Sequence, residues 1–104
     1  MPQAVFSCHY KLKKGVSIPD FLLAVETLHN KEISKKEGYV ASSLMQDGDT
    51  WADTITFESM LDLQNFEDAS HTPSESALAF YGFLNMNSCK VNRFSIEKSY
   101  PTEK

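Results

Sequence analysis

The stretch that most constrains the fold runs from Gly38 to Ser59. Two alternating runs, Tyr39 to Met45 and Trp51 to Glu58, flank the polar tip Gln46-Asp47-Gly48-Asp49-Thr50, rich in residues that tolerate left-handed backbone. This pattern predicts a β-hairpin. Ahead of it, Phe6, Cys8, Tyr10 and Leu12 alternate with Val5, Ser7, His9 and Lys11, as in a strand whose first set faces a core. Between the two, Ser17 caps a predicted helix with Pro19 and Asp20 in its first turn. Its apolar stripe, Phe21, Leu22, Val25, Leu28 and Ile33, extends to about Lys36 before Gly38 ends it. After the hairpin, Ser59 opens a short helix from Met60 to about Ala69. Thr72 and Glu75 read as a capping box around Pro73, so a further helical piece is predicted from Ser74 to Leu84. Asn85 to Ser88 reads as loop, Val91 to Tyr100 as the last strand, and Pro101 to Lys104 as a loose tail.

The order is β-α-β-β-α-β in a single domain spanning residues 1–104. Right-handed crossovers predict a four-stranded antiparallel sheet in the order four-one-three-two, with the helices on one face. Phe94 and Ile96 are expected to face the helices. On the uncovered face are expected Ser7 and His9 from strand one, Val91, Arg93, Ser95 and Glu97 from strand four, and the large set Trp51, Asp53, Ile55 and Phe57 from strand three. The small set Ala52, Thr54 and Thr56 would then lie beneath the helices. Such an apolar patch is large for a monomer, so two copies packed sheet to sheet, a homodimer, are expected.

Composition excludes several classes. A net charge of -4 provides no basic field for nucleic acid. No apolar run approaches the roughly 20 residues that span a bilayer, and the N-terminus carries no secretory pattern, so no membrane partner and a cytoplasmic location are expected. Cys8 and Cys89 lack metal-ligand spacing and read as reduced thiols, Cys89 an inert one. His9 and Asp53 supply at most two ligands, short of the three protein ligands of a catalytic zinc. No glycine-rich nucleotide loop is present, and neither metal nor cofactor is expected.

With those faces, Asp53 accepts a hydrogen bond from one nitrogen of His9, leaving the other to act as general base, while Arg93 holds an anionic oxygen. Ser7, Trp51, Ile55 and Phe57 line the ligand, and Tyr81, with Phe83, closes the mouth. The alternative is a satisfied polar network and an aromatic interface, with no chemistry. His29 and His71 are expected at the surface.

The segments Tyr10-Lys11-Leu12-Lys13-Lys14-Gly15, the Phe21 helix start, the Gly38-Tyr39 entry and the strand from Trp51-Ala52-Asp53 to Phe57-Glu58-Ser59 resemble the dimeric α+β barrel superfamily. Within that superfamily, which has a ferredoxin-like fold, they look most like the antibiotic-biosynthesis-monooxygenase-like branch. The resemblance covers nearly the whole chain, through patterns rather than a catalytic signature. It implies a small-molecule-binding homodimer performing cofactor-independent oxygenation or proton transfer on an aromatic or polyketide-like compound. A non-catalytic dimeric binding protein is the alternative it leaves open. The haem-degrading branch uses an Asn on strand one with a Trp and a helical His; Ser7 and His9 stand on strand one here, so that likeness fails in part.

Overall fold

The computed structural model describes residues 2–101, so the predicted tail lies outside the described residues beyond Pro101. The hairpin forms as its pattern requires: β2 (Tyr39–Asp47) and β3 (Thr50–Phe57) are joined by Gly48 and Asp49, with Gly48 at φ +62. In front of it stand β1 (Ala4–Leu12) and α1 (Ile18–Lys31), behind it α2 (Met60–Ala69), α3 (Glu75–Tyr81) and β4 (Leu84–Ser95). The four strands form one antiparallel sheet in the order β2-β3-β1-β4, the predicted order read from its other edge.

Caps explain most of the boundaries. Ser17 accepts the amide N–H of Asp20 at 3.2 Å, and Ser59 that of Asp62 at 3.1 Å, as expected. α1 stops at Lys31 rather than near Lys36 because Glu32 leaves helical backbone at φ -132; a 3-10 turn, Ile33–Lys35, follows. The Glu32 carboxylate accepts a hydrogen bond from Ser74 Oγ, tying the end of α1 to the start of α3. Ser74, and not Thr72, caps α3 by accepting the Ala77 N–H at 3.1 Å, while Thr72 donates back to the Ala69 carbonyl at 3.3 Å.

The expected loop Asn85 to Ser88 lies inside β4, as an irregular stretch. His9 pairs with Lys90 and Lys11 with Asn85, so Met86 to Cys89 stand opposite the single residue Tyr10. The strand ends at Ser95, short of the expected Tyr100, and the Ile96 N–H bonds the Gln3 carbonyl at 2.8 Å as a last rung.

Register corrects the predicted faces. Residues directly opposite in an antiparallel pair share a face. Trp51 is opposite Tyr10, Asp53 opposite Cys8, Ile55 opposite Phe6 and Phe57 opposite Ala4, so the whole large set faces the helices. Arg93, opposite Phe6, also turns to the helix side, whereas Phe94, opposite Val5, lies on the open face, 54% exposed. The physical reason is volume. Phe21 from α1 and Phe80 from α3 do not fill the space above the sheet alone; Trp51 closes on Phe21 edge-on at 5.0 Å, and Tyr10 on Phe80 at 5.8 Å. A second cluster, Ala4, Ile55, Phe57 and Leu63, fills the other end. Ala52, Thr54 and Thr56 are left for the open face.

Candidate functional site

A cavity of about 450 Å³ lies between α1 and the helix side of β1, β3 and β2. Its apolar walls come from both layers: Leu22, Val25 and Leu28 on α1, Phe6, Leu44 and Ile55 on the sheet. The exposed Glu26 and Asn30 of α1 also border it, and two hydrogen-bonded polar groups stand within the lining.

The first is Asp53, whose carboxylate Oδ2 accepts a hydrogen bond from the Tyr10 hydroxyl at 2.7 Å. Burial pushes its pKa up to about 6, while the Tyr10 hydrogen bond pulls the other way. Tyr10 itself is held firmly protonated, by burial first and then by the Asp53 charge. The pair therefore comprises a fixed donor and a carboxylate that changes charge close to neutral pH.

The second is a relay on the α1–β2 side. Tyr39 Oη is 3.1 Å from Ser42 Oγ, which is 3.0 Å from Nδ1 of His29. The His29 and Tyr39 rings meet edge-on at 5.6 Å. His29 is half-buried and lines the cavity, correcting the expectation that it is a surface residue. Strict alternation puts Tyr39 and Ser42 on opposite faces of β2; an irregularity between Tyr39 and Ala41, visible only in the strand pairing, brings both to the helix side.

The predicted Asp53–His9–Arg93 arrangement does not form. His9 is exposed on the open face, with its Nε2 3.0 Å from Ser7 Oγ. Arg93 is on the helix side at the sheet edge, where it donates from Nε and Nη2 to the Glu67 carboxylate of α2 at 2.5 and 2.6 Å. Of the expected ligand-lining residues, only Ile55 meets this cavity. Ser7 is buried on the other face; Trp51 and Phe57 are core; Tyr81 lines a separate cavity of about 120 Å³ where the end of α1 meets α2 and α3. His71 is exposed, as expected. Among the described residues, no group of three or more His, Cys, Asp or Glu is arranged around a common point for a metal. No helix among them is long and apolar enough to cross a membrane.

Fold and cavity together define a ferredoxin-like α+β domain that encloses a ligand-sized space between its helix layer and its sheet. No protein-family model and no curated protein matches the chain. Solved structures do. SnoaB, a cofactor-independent oxygenase from Streptomyces nogalater, superposes with a TM-score of 0.76 at 10% identity, covering 97% of this chain and 99% of its own. A Bacillus cereus protein provisionally named an antibiotic biosynthesis monooxygenase gives 0.63 at 18% identity over 98% of this chain and all of its own. A dimeric ferredoxin-like protein from an uncultured marine organism gives 0.67 at 9% identity, over 99% of this chain and 95% of the other. The chain has the fold of antibiotic-biosynthesis-monooxygenase-type proteins, as its segments suggested.

Proposed function

We propose that the cavity binds a planar, hydroxylated aromatic or polyketide-like molecule and that Asp53 is the base that removes its proton. The reading is carried by one observation: a carboxylate with a pKa of about 6 set in a mostly apolar cavity and held by Tyr10. Taking a phenolic proton gives a neutral Asp53 and an electron-rich phenolate, the form that reacts with dioxygen without a cofactor. His29, supported by Ser42 and Tyr39, anchors the other end of the ligand. This role for Asp53 replaces the one expected of His9, which the sheet separates from the cavity.

The same reading makes the protein a cytoplasmic homodimer. Its open face presents Phe94 and Met45, 54% and 48% exposed, among Val5, Ala52, Thr54 and Thr56, and small β-branched residues allow a second sheet to approach. The two free thiols accord with a reducing compartment.

Oxygen uptake with a panel of polycyclic phenols tests the assignment. The native chain is expected to turn over at least one of them, with kcat rising with pH through about 6 as Asp53 loses its proton. Asp53→Asn is expected to lower kcat by about 100-fold or more while the fold is kept. An unchanged rate would remove Asp53 from the mechanism. Tight binding of a phenol with no oxygen uptake by any panel member would favour the non-catalytic binding protein.

A further inference from the structure

Three sulfur atoms gather where β1 and β4 lose register. Cys8 projects to the helix side of β1, opposite Asp53, and lines the cavity wall. Cys89 and Met86 belong to the irregular stretch of β4, with Cys89 Sγ 4.0 Å from Met86 Sδ. Cys8 and Cys89 pack on the same aromatic cluster, close enough for each thiol to influence the ionisation of the other. Both thiols are free.

Cys8 pairs with Val91 and His9 with Lys90, so Cys89, the next residue of β4, lies just past the last regular rung beside Cys8, and both thiols meet the aromatic cluster on the helix side. Three sulfurs held in a trigonal plane, each about 2.3 Å from one ion, are about 4 Å from one another. The Cys89–Met86 separation matches that edge. Thiolates with a thioether are soft ligands, and among the described residues no further His, Cys, Asp or Glu joins them to complete the four-coordinate set that zinc takes.

We infer that Cys8, Cys89 and Met86 form a binding site for a soft monovalent cation of the copper(I) or silver(I) class on the wall of the cavity. Binding makes two metal–thiolate bonds and one metal–thioether bond and releases both thiol protons to solvent, with no change in oxidation state. Burial pushes the Cys8 thiol up to about 12 and raises Cys89 as well, so uptake of the ion competes directly with protons.

The test is an anaerobic titration of the reduced full chain with copper(I) buffered by bathocuproine disulfonate. One copper(I) per chain is expected, with a thiolate-to-metal absorption band and an affinity that rises about 100-fold per pH unit because two protons leave. Cys89→Ser should weaken binding by about 100-fold or more, and Met86→Leu by about 10-fold. Met86 is 56% exposed, so its replacement leaves the fold intact, which circular dichroism checks. Failure to take copper from the chelator, one ion per two chains, or unchanged affinity in Met86→Leu would each overturn the site.

Discussion

Asp53 couples the cavity to the stability of the protein. Its folded pKa of about 6 stands above the ordinary 3.8, so the folded chain binds this proton more tightly than the unfolded chain does. Its contribution to stability is therefore most favourable below the unfolded pKa and is lost as pH rises through about 6, a change of about 3 kcal/mol. Asp53→Asn should remove that slope and be more stable than the native chain at pH about 8, by up to about 3 kcal/mol in denaturant unfolding. An equal difference at acid and alkaline pH would show that the carboxylate is not desolvated. Tyr10→Phe acts in the other direction on the chemistry: without its hydrogen bond the Asp53 pKa climbs, and the midpoint of the pH–rate profile should move above 6.

At the scale of elements, Gly38 joins the α1 segment to β2 and lies directly against the first turn of α2. It sits at φ +80, and a Cβ added there would lie 2.1 Å from Asp62 Oδ2 and 2.7 Å from Asp62 Cβ. Asp62 in turn accepts a hydrogen bond from Ser59 Oγ at the α2 cap, at 3.0 Å. Gly38→Ala should cost about 2–4 kcal/mol, adding left-handed strain to displacement of the cap, whereas Gly48→Ala, with nothing within 4 Å, should cost about 1 kcal/mol. Paired melting curves read the difference; equal shifts would mean that Asp62 yields freely. The elements themselves were largely legible in the chain, because Ser17, Ser59 and the hairpin tip carry local signals. The misplaced ends at Lys36, Thr72 and the start of β4 were set by contacts between distant segments, such as Glu32 with Ser74, that no local window contains.

For the whole molecule, the open sheet face is where the proposed dimer is tested. If two copies pack through it, Phe94→Glu places a charge in the interface and should convert the dimer to a folded monomer in sedimentation experiments, since a buried unpaired charge costs several kcal/mol. A native chain that sediments as a monomer would instead show that Val5, Met45 and Phe94 stay in water. The His9–Ser7 pair sits on this face, so His9→Ala should alter association more than turnover, opposite to what a catalytic His9 requires.

The sequence by itself determined the order of elements, the sheet order and the ferredoxin-like fold, because period-two and helical patterns, caps and crossover handedness are local or topological properties. Tertiary structure decided which face each strand presents. In β3 both alternating sets were chemically acceptable on either side, and a shift of one residue in pairing exchanges them. Only the volume left between Phe21, Phe80 and the sheet selected Trp51, Asp53, Ile55 and Phe57 for the inside. That choice parted Asp53 from His9 and placed it, held by the core residue Tyr10, on the wall of the cavity that His29 also lines.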